Sequence, residues 1–204
     1  MTHTYQKART AAIQRGLLTY GEPELLRALS ALPVPAMTAF AGSCACRIAT
    51  AGASRGADMS FAFYVIERLR DFAEGNIIEN ADQMEAQLIA SIPDEDEAPD
   101  FDGSIVDDAL AATAYGLRCA INGDVMNAVW ASRRAYENVS RYAGLRQNET
   151  ELTEMVDAAI ISHPFVQAEL RRQRRDVADL GRMHGHPKSF ATLIDRAARE
   201  PLLS

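Results

Sequence analysis

Absences narrow this sequence before any motif does. The N-terminal MTHTYQKART carries no apolar run of the kind that opens a secretory signal, and nowhere do about 18 uncharged apolar residues follow one another. Neither a leader nor a membrane span is expected, and the expected location is the cytoplasm. Cysteine is scarce. Cys44, Cys46 and Cys119 are too few and too unevenly spaced for a disulfide framework, and they read as reduced thiols in or beside the core. No Gly/Ser/Pro-rich linker divides the 204 residues, which suffice for one well-buried core, so residues 1–204 are expected to form a single domain. No run of strictly alternating residues bounded by turns reads as a strand, which leaves helical spacing as the organising pattern.

Catalytic signatures are missing as well. AGSCA, around Gly42 and Ser43, lacks both the G-x-S-x-G spacing and the strand–turn–helix context of a nucleophile elbow. The glycines of AGASRGA are not followed by the Lys-Ser/Thr of a phosphate-binding loop. No Glu-x-x-His pair exists, so the di-metal signature of ferritin-like bundles is lacking. Two positions apart on a helix, Cys44 and Cys46 point about 200° away from each other and cannot grip one ion together. Zinc would need two more ligands, with His184 and His186 in MHGHPK as the clustered candidates. The plainer reading is small buried thiols and a polar turn. No cofactor is expected, and the question of a metal stays open.

What is present is a globular composition, 48% apolar, with a net charge of -7 and a pI near 5.1. An acidic total argues against nucleic acid and anionic membranes as partners, since both call for a basic surface. Helical segments follow one another along the chain. A first covers about Thr4 to Leu18, and Pro23 suits the first turn of a second, PELLRALSAL. The segment Ala36 to Thr50 is almost entirely small or apolar and belongs in the middle of the molecule. Residues 57–75 carry a stripe of Phe61, Val65, Leu69 and Phe72, and a shorter helix spans about Ala81 to Ser91.

A helix capped by Ser104 then shows Val106, Leu110, Leu117 and Ile121 at helical spacing, and after Gly123 the next helix shows Val125, Val129, Tyr136 and Val139. So short a loop makes the two, over 104–143, a central antiparallel hairpin. Trp130 is expected in the core or at its rim. A further segment runs from near Asn148 to Ser162, Ser162 or His163 caps the helix opened by Pro164, and SFATLIDRAARE closes the chain. The architecture expected is an all-α bundle of about eight or nine helices.

Charge is distributed unevenly. Between Arg70 and Arg118 there is no Lys or Arg but thirteen Asp or Glu, and eight of these crowd into residues 94–108. Such a density faces water, a cation or a basic partner. Asp94, Glu95, Asp96 and Glu97 are consecutive and would fan around a helix axis, whereas Asp102 and Asp108 flank a helix start, where negative charge is favoured. Despite Gly103, the spacing is not that of a calcium loop. A solvated connector, a docking surface and a hard-cation site remain as readings. The docking surface would comprise Asp94, Glu95, Asp96, Glu97, Asp100, Asp102, Asp107 and Asp108.

The positive counterpart is LRRQRRD, where Arg171, Arg172, Arg174 and Arg175 leave Val166, Leu170, Val177 and Leu180 for packing. Four arginines in five positions offer an anion or subunit contact, but without aromatic interleaving they make no nucleic-acid surface. The plainer reading pairs them with the acidic region of the same chain or of a second copy.

Three pieces together carry a family resemblance: MTAFAGSCACRIA; PDEDE with the helix after it and its partner GDVMNAVWASRRAYENVSRY; and HPFVQAELRRQRRDVADL. In that order they resemble the DUF416, or YjaG-like, family of bacterial proteins. The resemblance implies an all-helical domain and brings no established biochemical function or site residues. It also implies an acidic residue just before Arg47, where this chain has Ala45 and Cys46. The function expected is non-catalytic interaction, with the acidic segment taking a basic protein partner. The rivals are a carboxylate-dependent metal enzyme using Asp102, Asp107 and Asp108, and a homo-oligomeric structural protein.

Overall fold

Proline and glycine punctuate a chain whose apolar residues recur at helical spacing, and the elements follow that punctuation. The computed structural model describes residues 3–92, 101–145, 154–183 and 189–203. Among them every regular element is an α-helix: α1 His3–Gln14, α2 Glu22–Leu29, α3 Val34–Ser54, α4 Ser60–Ala73, α5 Ala81–Ala90, α6 Phe101–Asn122, α7 Val125–Leu145, α8 Glu154–Ser162, α9 Pro164–Arg182 and α10 Ala191–Ala197. These are ten, against the eight or nine expected, and each falls on one of the helical segments marked out in the sequence.

Pro23 and Pro35 sit in the first turns of α2 and α3, where the missing amide has no intrahelical partner to lose. At the start of α9, His163 is the cap and Pro164 the first helical residue; His163 Nδ1 accepts from the Phe165 amide at 3.4 Å. Gly123, at φ +68°, ends α6 in the left-handed conformation that glycine adopts without a Cβ penalty. α6 opens three residues earlier than the Ser104 cap expected. Ser104 lies inside its first turn, and its hydroxyl accepts from Arg141 at 3.0 Å.

α3 is the axis of the molecule. Every side chain from Ala36 to Ala49 is buried, as expected of a helix apolar on all sides, and α4, α6, α7, α9 and α10 pack around it. Small residues let the helices approach closely. A Cβ placed on Gly116 of α6 would lie 2.7 Å from Leu69 Cδ1 and 3.8 Å from the Gly42 backbone nitrogen. One contiguous core extends from Tyr20 to Leu202, and Ala8, Ala12 and Ile161 form a small separate cluster joining α1 to α8.

The expected stripes are borne out in part. In α6, Leu110 and Leu117 are buried as expected, Ile105, Ala109 and Ala112 join them on the buried face, and Val106 is half-buried while Ile121 is 44% exposed. Phe61 and Phe72 of α4 are half-buried beside the buried Val65 and Leu69. Trp130 sits at the rim, its ring centroid 5.4 Å from that of Tyr115. No described helix is long and apolar enough to cross a membrane.

Candidate functional site

The densest polar constellation lies where α3, α9 and α10 meet, and it begins with the one charged residue between Ala36 and Thr50. Arg47, 1% exposed, donates from Nη2 to Glu169 Oε1 and from Nη1 to Asp176 Oδ2, both at 2.9 Å. Glu169 and Asp176 are seven residues apart on α9, so both face α3. Gln173, between them on that face, donates from Nε2 to Glu169 at 2.9 Å and to the Ser132 carbonyl of α7 at 3.0 Å. Arg196 of α10 closes the cluster from outside, reaching Asp176 at 2.5 Å and Asp179 at 2.7 Å. The buried face of α9 is thus a polar stripe of Glu169, Gln173 and Asp176 set between Val166, Leu170 and Leu180.

Burial works to lower the Arg47 pKa, but the neighbouring anionic groups, Glu169 foremost, outweigh it; the pKa ends well above its ordinary value and the guanidinium stays charged. Cations and hydrogen bonds from three helices converge on the two carboxylates, which suits them to holding those helices together, although Glu169 Oε2 is buried without a hydrogen-bond partner. The cysteines are quiet. Burial pushes the Cys44 thiol well up, and it pushes those of Cys46 and Cys119 up to about 11, so all three are protonated at neutral pH. α3 runs unbroken past Cys44 and Cys46. His184 and His186 lie outside the described residues.

Asp94, Glu95, Asp96, Glu97 and Asp100 also lie outside the described residues. Asp102, in the first turn of α6, is exposed and paired with Arg55. Asp108 is 2% exposed, a correction to its place on a docking surface: its carboxylate accepts from Arg141 at 2.9 Å and Asn138 at 3.0 Å, with Arg134 at 3.4 Å. The two aspartates meant to flank a helix start therefore part company: they are six positions apart on α6 and so on different faces, with Asp108 against α7. Among the described residues no group of three or more His, Cys, Asp or Glu is placed to hold a metal, so Asp102, Asp107 and Asp108 do not converge on a cation.

Asp107 is half-buried, and its Oδ1 has no hydrogen-bond partner. Burial first and the Asp108 charge second push its carboxyl above the ordinary range, against Arg141 and Arg134. A carboxyl that holds its proton more firmly folded than unfolded favours the fold below its unfolded pKa, and that contribution is lost as pH rises through the folded value. Asp107→Asn is therefore expected to raise Tm by roughly 1–2 °C at neutral pH, a gain that disappears near pH 3. Thermal melts at the two pH values check it.

The arginine run is divided by the helix it sits on. Arg175 forks onto Glu200, at 2.5 and 3.2 Å, and Arg172 lies 3.9 Å from both Glu169 and Glu200. These described partners come from α9 itself and the turn after α10; the acids at 94–100 expected to pair with the run lie outside the described residues. Arg171 and Arg174 are exposed and form no ion pair among the described residues. The Arg47 cluster escaped the sequence reading, although a lone arginine inside a segment expected to be fully buried was its signal.

The fold is shared with a solved structure, that of a DUF416 family protein from Shewanella baltica OS155: TM-score 0.69, 17% sequence identity, covering 89% of this chain and 93% of that one. A likeness at that identity speaks for the fold, and it agrees with the resemblance carried by the three sequence segments. No protein-family model matches the chain, and no curated protein matches it.

Proposed function

We propose that this chain is a DUF416-like protein acting without catalysis, as a single domain over residues 1–204, by docking a basic protein partner in the cytoplasm on an acidic surface. The observation that carries the reading is the charge bias between Arg70 and Arg118, thirteen acids and no base, together with how little of it is neutralised near α5. Asp71, Glu74, Glu85, Asp102 and Asp108 have arginine partners within the fold. Glu79 and Asp82 flank the start of α5, exposed and with no ion pair among the described residues, and Ile77 beside them is 87% exposed. An apolar anchor inside an uncompensated acidic field is the composition of a surface that steers and then seats a cationic partner.

The docking residues proposed are Asp94, Glu95, Asp96, Glu97, Asp100 and Asp102, extended by Glu79 and Asp82. The α6–α7 pair that follows in sequence serves as a rigid antiparallel hairpin. The reach of Arg134, Asn138 and Arg141 back to Asp108, with Asn127 within 3.2 Å of Asn122 at the other end, supports that geometry. Reversing Asp94, Glu95, Asp96 and Glu97 to lysine, with Glu79→Lys and Asp82→Lys, is expected to abolish co-purification of a basic partner without changing the circular dichroism. Retention of that partner by the reversed protein would overturn the reading.

A further inference from the structure

Away from the acidic surface, a cleft of about 460 Å³ opens between α1, α2 and α9. That volume is within the roughly 300–1,000 Å³ of pockets that take drug-sized ligands. Its walls are of two kinds. Leu25, Leu170 and Val177 supply apolar surface, with Ile13, 56% exposed, at the rim. Arg9 of α1 and Arg174 of α9 supply the charge, and neither is ion-paired among the described residues; the hydrogen bond of Arg9 is a long one, from Nε to the Thr19 hydroxyl at 3.4 Å. One acid, Glu24, shares the cleft beside Gly21, where the missing side chain leaves room for both its carboxylate and the Arg9 guanidinium, 3.4 Å from where a Cβ would stand.

We propose that this cleft binds a small amphipathic anion, an apolar body carrying one carboxylate or one phosphate. Two guanidiniums against one carboxylate leave a single positive charge, which a carboxylate neutralises and a phosphate, at about -1.5 to -2, more than offsets. Both arginines line the cleft, from different helices, and a planar fork of donors matches a carboxylate or phosphate oxygen pair. The apolar walls then take the body of the ligand out of water. The Tyr20 hydroxyl is not a competitor for the headgroup, being engaged with Ser132 at 3.2 Å and the Val129 carbonyl at 3.3 Å. Gln173 borders the cleft on one side and holds Glu169 on the other, so an occupant would rest directly against the Arg47 cluster.

The test is calorimetric titration of the full chain with octanoate and with 1-naphthyl phosphate, each beside its uncharged counterpart, 1-octanol and 1-naphthol. At least one anion is expected to bind, about tenfold more tightly than its counterpart, and the double variant Arg9→Gln/Arg174→Gln is expected to lose about tenfold in affinity with its circular dichroism unchanged. Ala28→Phe, which fills the cleft while leaving both arginines, is expected to abolish binding. Whichever anion binds identifies the headgroup. Failure of both anions at millimolar concentration overturns the proposal, as does equal binding of the uncharged compounds or undiminished binding to the double variant.

Discussion

Alanine in place of Arg47 is expected to lower the unfolding free energy by about 3–5 kcal/mol, the range found when one partner of a buried ion pair is removed. For a chain of this length that corresponds to a fall in Tm of roughly 6–20 °C. The cost comes from what is left behind. Glu169, fully buried, would keep only the Gln173 amide and the distant Arg172, whereas Asp176 would keep Arg196 at 2.5 Å. The double variant Arg47→Met/Glu169→Leu should be less damaged than Arg47→Ala, since apolar replacements remove the stranded charge along with its partner. Urea melts of the three proteins measure both.

Gly116→Val is expected to cost about 3 kcal/mol, at the upper end of overpacking penalties, because the space it needs is already occupied. The first added carbon would meet Leu69 Cδ1 at 2.7 Å, and Ala41 Cβ and the Gly42 backbone lie behind at 3.7 and 3.8 Å. Leucine can swing its end away from one methyl, but the two further methyls of valine press on α3 itself. Gly181 makes the control. It lies within α9 with nothing within 4 Å of an added Cβ. Gly181→Ala should accordingly stabilise by about 0.5–1 kcal/mol through lost unfolded-state freedom and better helix propensity. Opposite signs from two helical glycines in the same melting experiment isolate the close approach of α6 to α3.

The order of helices was legible because local chemistry marks it: Pro23, Pro164 and Gly123 stand at the boundaries their backbone constraints dictate. The interior position of α3 was legible from its want of polar residues. The α6 stripe was legible only in part, since Leu110 and Leu117 are buried as expected but Ala109 and Ala112 share the buried face while the larger Val106 and Ile121 turn partly outward. Alanine packs where helices cross closely, and hydrophobic size alone does not reveal a crossing. The Arg47 cluster was illegible for a different reason. The family resemblance placed an acid beside Arg47 in sequence, but the fold supplies its acids from α9, 122 and 129 residues away. That joins the first of the resembling segments to the third by a buried charge pair. Asp108 shows the same limit: an acid near a helix start looks like a surface group until the partner helix brings two arginines and an asparagine over it.

The central claim, that the acidic surface between Arg70 and Arg118 seats a basic protein, is tested most directly by affinity purification from the native cell lysate at low salt and at about 0.5 M salt, where exposed charges are screened within a few ångströms. The account predicts a stoichiometric basic partner at low salt that is lost at high salt. Recovery of the protein alone at both salts would contradict it.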